Sequence, residues 1–224
     1  MMRPKVIFMD AVGTLFGVRG SVGHIYSEIA HRFGVEAPAE VLNQAFFKAF
    51  ATSTPPIFSE ADPQEIPHRE FEWWSAIALS TFEQADVLHQ FSDFAAFFRE
   101  LYAYFATAQP WFVYPDVRPV LEEWQQMEIE MGVLSNFDSR LYAVLQALDL
   151  AQFFTSVTIS SQVGAAKPDP KIFAAALQKH QCHPQEAWHI GDSLKEDYQG
   201  AKAAGLKAVL LKRAEPLIVA EDKV

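Results

Sequence analysis

Five short apolar runs without polar alternation constrain this chain more than any other feature. They are residues 5–9 (KVIFM), 129–135 (IEMGVLS), 156–160 (SVTIS), 187–190 (AWHI) and 207–211 (KAVLL). Runs of this length and character read as strands buried on both faces of a parallel sheet. From the second onward, each is separated from the next by a helix-length or turn-rich segment. Repeated strand, turn and helix predict an α/β, doubly wound parallel-sheet core of the Rossmann-like type. Ligands of such sheets bind beyond the carboxyl ends of the strands. Asp10, Ser135 and Asp192 all fall there.

Roughly a hundred residues separate the first run from the second, too many for one crossover helix. The spacing predicts an inserted α-helical bundle over 17–112, with the core formed by 1–16 and 113–224. Val41, Leu42, Ala45, Phe46, Ala49 and Phe50 make one helical stripe; Phe91, Phe94, Phe97, Phe98, Leu101 and Phe105 make another. Their period is that of a helix, so both read as bundle core. The proline-rich stretch 53–67 (STPPIFSEADPQEIP) reads as a loop between helices.

Charge narrows the partners. With 18 Lys and Arg against 28 Asp and Glu, the net charge of −10 argues against nucleic acid, whose affinity comes mostly from cations on phosphates. The insert holds 5 Lys and Arg against 12 Asp and Glu, which disfavours a heavily phosphorylated substrate and reads equally as a solvated acidic surface. The single cysteine, Cys182, excludes an internal disulfide, and the first apolar run is too short for a signal peptide or membrane span. A cytoplasmic location is the expectation, with no membrane partner.

Four segments carry candidate chemistry. In DAVGT (10–14), Gly13 allows a tight turn and the Thr14 hydroxyl can orient the Asp10 carboxylate, although an aspartate closing a strand is often only a cap. In VLSNFD (133–138), Ser135 and Asn136 can offer donors to an oxyanion, or simply form a turn ahead of a helix near 139–147. In GAAKPDPKIF (164–173), Pro170 and Asp169 suit a helix start, and Lys167 lies just outside it, where an ammonium could meet a phosphoryl group. In HIGDSLKED (189–197), Asp192 leaves a strand after Gly191 and Asp197 follows five residues later, with Lys195 between them. Carboxylates gathered this way favour a Mg²⁺ site.

In this order and spacing the four segments resemble the motifs of the haloacid dehalogenase-like hydrolase superfamily, and the resemblance covers nearly the whole chain. It implies that Asp10 is a nucleophile, that Ser135 and Lys167 hold the transferring group, and that Asp192 binds Mg²⁺. Asp10 and the backbone carbonyl of Val12 would complete the protein ligands, with Asp197 supporting the metal shell or Lys167. The helical insert looks like the cap found after the first motif.

Val12 departs from the pattern. Most phosphatases that the chain resembles carry a second aspartate there, which protonates the leaving alcohol and activates water. General acid–base catalysis is worth typically about 10²- to 10⁴-fold, yet its loss leaves nucleophile, cation and metal terms in place. The expected activity is therefore Mg²⁺-dependent hydrolysis of a small phosphorylated metabolite through an aspartyl-phosphate, suited to a good leaving group. A 2-haloacid dehalogenase is the alternative, since those relatives also lack the second acid, although the metal-free ones resemble this chain less at GDSLKED. A catalytically impaired relative that binds a phosphorylated ligand is a third class. A phosphonate hydrolase would need a cap lysine, and Lys48 alone is available. Of the lesser signals, Arg19 is a candidate substrate contact at the start of the insert and His24 a weaker one; His31 shares the face of His24. His180, Cys182 and His183 read as an ordinary helix end rather than a metal site.

Overall fold

A computed structural model describes residues 3–59 and 61–213. The chain opens with β1 (Val6–Met9). It leaves the sheet through β2 (Phe16–Val18) and returns through β3 (Trp111–Val113), an antiparallel ribbon in which Phe16 lies opposite Val113. Between them come α1 (Val22–Arg32), α2 (Ala39–Thr52), α3 (Ile66–Gln84) and α4 (Phe94–Tyr104). After β3 follow α5 (Val117–Gln126), β4 (Glu130–Ser135), α6 (Arg140–Ala147), β5 (Ser156–Ile159), α7 (Ser160–Val163), α8 (Pro170–Lys179), β6 (Ala187–Gly191), α9 (Gly200–Ala203) and β7 (Lys207–Leu210).

All five apolar runs form strands of one sheet, ordered β5-β4-β1-β6-β7 and parallel throughout. The absence of polar alternation has its reason in β1, where no residue is more than 4% exposed. Successive side chains point to opposite faces: Ile7 and Met9 pack with Met131, Val133, Leu141 and Val144, while Val6 and Phe8 pack with Leu134, Ile172 and Phe173 on the other side. Helices cover both faces, so the strands need apolar residues at every position.

The inserted helices have a separate core. Ile25 and Ile29 of α1, Leu42 and Phe46 of α2, Ile77 and Phe82 of α3, and Phe97 and Leu101 of α4 meet there. Ser21 caps α1 by accepting from the His24 amide (3.1 Å), and Asp93 caps α4 by accepting from Ala96 (2.8 Å). The expected α2 stripe is corrected at both ends: Val41 and Phe50 are 43% and 44% exposed, because α1 and α3 cover a narrower face than the stripe spans. The expected loop over 53–67 ends where α3 begins at Ile66, and the Trp73 indole ties it down by donating to the Thr54 carbonyl at 2.7 Å.

A buried carboxylate docks the insert on the sheet layer. Glu70 of α3 is 0% exposed and accepts from the Ser139 amide (3.0 Å), the Ser139 hydroxyl and the Ser161 hydroxyl (2.5 Å). Burial pushes its carboxyl above the ordinary range, against the pull of the Ser139 and Ser161 bonds. Replacing Glu70 by alanine strands those donors in a dry site. We expect a loss of about 1–3 kcal/mol in urea unfolding, and a smaller loss for Glu70→Gln, which keeps an acceptor.

Candidate active site

The carboxyl ends of β1, β4 and β6 deliver the predicted residues to one cavity. Asp10 follows β1, with its amide donating to the Ile190 carbonyl at 2.9 Å, so the sheet pairing continues to the aspartate itself. The chain then turns tightly: the Leu15 amide donates to the Ala11 carbonyl (2.8 Å) and Gly13 to Phe16 (2.8 Å). Gly13 has φ +84°, and a Cβ there would overlap the Asp192 carboxylate. Gly13→Ala would therefore strain the backbone and push the two acidic loops apart. We expect it to lower Tm and activity together, with Asp10 and Asp192 displaced in a crystal structure.

Lys167 stands in the loop before α8, and Asn136 holds it there. The Asn136 side chain accepts from the Lys167 amide (2.7 Å) and donates to the Lys167 carbonyl (3.0 Å) and to Glu196 (3.2 Å). That corrects one expectation: the Asn136 amide is spent on positioning Lys167 and Glu196 rather than aimed at an oxyanion. Thr14 differs as well. Its hydroxyl is buried with no hydrogen-bond partner among the described residues, and it does not line the cavity, so the predicted bond to Asp10 is not formed.

The Lys167 ammonium, 1% exposed, sits 2.6 Å from Asp10 Oδ1 and 2.6 Å from Asp197 Oδ1. Asp197 is carried inward by a π-helical turn, Leu194–Gln199, of the kind often found at functional sites. It also meets His189 Nε2 at 2.8 Å and accepts from the Ser193 amide at 2.9 Å. Burial alone would lower the Lys167 pKa, but the Asp10 and Asp197 charges outweigh it and raise it. Burial pushes Asp197 upward, yet the His189 bond and the Lys167 charge prevail and hold it well below the carboxylate range. The His189 pKa is lowered, chiefly by burial, against the pull of its Asp197 bond.

Asp192 has no ion-pair partner among the described residues. Although Asp192 is exposed on one side, partial desolvation and then the charges of Asp10 and Asp197 push its pKa up to about 6. Carboxylate oxygens of Asp10, Asp192 and Asp197 lie within 4.8 Å of one another. Since Lys167 already pairs with two of these acids, Asp192 is the uncompensated one, and a hard-oxygen set short of positive charge fits a divalent cation.

The cavity, about 650 Å³, is lined by Asp10, Val12, Ser135, Asn136, Lys167, Asp192 and Asp197 at one end. Arg19, His24, His31, Lys48 and Lys195 are exposed and do not line it. This removes Arg19 and His24 as substrate contacts and Lys48 as a Schiff-base candidate. His180 is buried between Ser156 Oγ (2.7 Å) and Glu130 Oε2 (2.5 Å), and no metal-ligand cluster forms around Cys182 or His183 among the described residues.

Sequence reasoning did not single out His189, Glu196, Arg140 or Arg213. Arg213 donates to the Thr14 carbonyl (2.6 Å) and pairs with Asp116 (2.6 Å), pinning the Asp10 turn from beyond β7. Arg140 forks onto Asp138 (2.9 and 2.6 Å), and Asp138 also accepts from the Trp74 indole at 2.6 Å, a second join between insert and sheet. Glu196 and Arg213 have no local sequence signal because they pair across the fold; Arg140 pairs with Asp138 two residues away, but nothing local shows that Trp74 joins that pair.

The carboxyl edge of the parallel sheet thus holds an aspartate against a buried lysine beside further carboxylates, in an α/β protein that carries a helical insert. Comparison with known proteins gives the family: the model for haloacid dehalogenase-like hydrolases matches residues 4–205, and the chain belongs to that family. It is 32% identical over 220 residues to the haloacid dehalogenase-like hydrolase domain-containing protein 3 of Bos taurus, covering 95% of this chain and 84% of that protein. It is 37% identical over 103 residues to a glyceraldehyde 3-phosphate phosphatase of Methanopyrus kandleri, covering 46% of this chain and 44% of that protein. A solved dehalogenase in an intermediate complex shares the fold with a TM-score of 0.69 at 20% identity, covering 96% of this chain and 88% of that one. No helix among the described residues is long and apolar enough to cross a membrane.

Proposed function

We propose that this chain is a Mg²⁺-dependent phosphohydrolase that acts on a small phosphorylated metabolite through an aspartyl-phosphate on Asp10. Residues 17–112 serve as its cap over a core of 1–16 and 113–224, and the cytoplasm is its proposed location. The observation that carries the reading is the uncompensated Asp192 beside the Asp10–Lys167–Asp197 network. Halide displacement from carbon without a metal has no use for that third carboxylate.

An Asp10 carboxylate oxygen attacks phosphorus, and the bond from phosphorus to the leaving oxygen breaks with its electron pair going to that oxygen. Lys167 orients Asp10 and supplies positive charge against the negative charge of the transferring group's oxygens, with Ser135 at the cavity wall as a hydroxyl donor. Water then attacks phosphorus and releases phosphate and the Asp10 carboxylate. Asp10, Asp192 and the Val12 carbonyl are the groups that would hold Mg²⁺, which supplies charge neutralisation for the phosphoryl oxygens. Val12 provides no proton, so the leaving group departs as its own anion.

The test is phosphate release from acetyl phosphate and para-nitrophenyl phosphate with and without Mg²⁺, beside halide release from 2-chloropropionate. Metal-dependent phosphate release is the expected outcome; metal-independent halide release would establish the dehalogenase instead. A second prediction comes from Asp192. Its carboxyl is pushed up to about 6, so protons compete with a cation below that pH, and Mg²⁺ should raise Tm more at pH 7 than at pH 5. Without the ion the folded state holds this proton more tightly than the unfolded chain. Asp192 ionisation therefore erodes stability as pH rises from 3.8 towards about 6.

A further inference from the structure

Beyond the reacting end, the cavity has walls of a distinct chemistry. Phe46 and Phe50 of α2 and Trp73 and Trp74 of α3 form a continuous aromatic surface. Phe50 is stacked on Phe46 (5.8 Å, 22°) and on Trp74 (6.0 Å, 25°), and Trp73 stands edge-on to Trp74 (4.7 Å, 85°). Both indole N–H groups are already committed, Trp73 to the Thr54 carbonyl (2.7 Å) and Trp74 to Asp138 (2.6 Å). What the two indoles offer a ligand is therefore ring surface and no free donor.

Charge around the cavity is equally selective. The Lys and Arg side chains among its lining residues are Lys167 and Arg140. Lys167 is held by two carboxylates, and Arg140 is held by Asp138, by the Tyr102 carbonyl (3.3 Å) and over the Tyr102 ring (3.9 Å). Among the described lining residues no unpaired cation remains for a second phosphate or a carboxylate, and Glu196 repels one. Burying the hydroxyls of a sugar or polyol against ring faces leaves them without partners, at a cost.

Val12 constrains the leaving group independently. An alcohol expelled without a proton must be stable as its anion, and an aryl hydroxyl is, whereas an alkyl alcohol is not. On the phosphohydrolase reading of the previous section, we propose that the substrate is a phosphate monoester of an aromatic hydroxyl compound, its flat ring held against Phe46, Phe50, Trp73 and Trp74.

The experiment measures KM for 1-naphthyl phosphate, acetyl phosphate and glycerol 3-phosphate with Mg²⁺, in the wild-type chain and in Phe50→Ala and Phe47→Ala. Both rings line the cavity and are partly exposed, so their truncation spares the buried core. We expect KM for 1-naphthyl phosphate to lie about tenfold or more below that for acetyl phosphate, and glycerol 3-phosphate to be turned over poorly. Phe50→Ala should raise KM for 1-naphthyl phosphate several-fold, about 3- to 10-fold, relative to its effect on acetyl phosphate. Equal KM values for the two substrates, or equal effects of both variants on them, overturn the proposal while leaving a phosphohydrolase in place. If no phosphate ester or acyl phosphate is turned over, the phosphohydrolase reading fails. Binding of 1-naphthyl phosphate followed by indole fluorescence then decides the pocket separately: binding weakened by Phe50→Ala supports the aromatic site, and no binding rejects it.

Discussion

Asp10→Asn should abolish turnover, by about 10⁴-fold or more, while the protein stays folded. The amide has the volume of the carboxylate but no anionic oxygen to attack phosphorus, and loss of a covalent nucleophile leaves only what binding and the remaining charges supply. Folding is spared because Lys167 keeps Asp197 as a partner at 2.6 Å, so no buried cation is left alone. Phosphate release from acetyl phosphate and an unfolding curve on the same preparation check both halves. Full activity in this variant would mean that the nucleophile lies elsewhere.

Lys167→Met is expected to damage both activity and stability. Methionine has similar length and fills the buried site, but it leaves the acids of the cavity without their ammonium. Removing one partner of a buried ion pair costs about 3–5 kcal/mol because the other charge remains, and removing one donor to a developing oxyanion costs about 10²- to 10³-fold in rate. The pH dependence gives the sign. Asp197 is held well below the carboxylate range in the folded protein, so the stability it contributes is present above its unfolded pKa of about 3.9 and is lost on acidification. In Lys167→Met much of that contribution disappears, so the deficit relative to wild type should be largest near neutral pH and shrink in acid. Urea unfolding at pH 7 and at pH 2.5, inside the window where Asp197 loses its contribution, measures it.

The parts of this molecule that were legible in its sequence share a physical cause. The strand runs stood out because parallel strands covered on both faces admit no polar residue, as β1 shows. Asp10, Ser135 and Asp192 stood out because polar residues at the ends of such runs have no packing role there. What could not be read depends on partners distant in sequence. Glu70 lies on α3, a segment with no chemical motif in the sequence, and only the approach of Ser139 and Ser161 makes it a docking group. Asn136 and Thr14 sat in motifs that predicted contact with an anion and with Asp10, yet one clamps the Lys167 backbone and the other has no hydrogen-bond partner among the described residues. Phe50 followed the helical period of a core residue but faces the cavity, because a stripe in sequence does not reveal how much of it the neighbouring helices cover. Val12 was the informative departure: its side chain carries no acid where the resemblance leads one to expect one.

The most direct test of the account is to trap the covalent state. The chain with Mg²⁺ is mixed with radiolabelled acetyl phosphate, quenched in acid and reduced with borohydride, and the peptides are sequenced by mass spectrometry. An aspartyl-phosphate on Asp10 predicts base-labile label on the protein and conversion of residue 10 to homoserine, both absent in Asp10→Asn. Steady phosphate release with no labelled protein, or label on another residue, would contradict it.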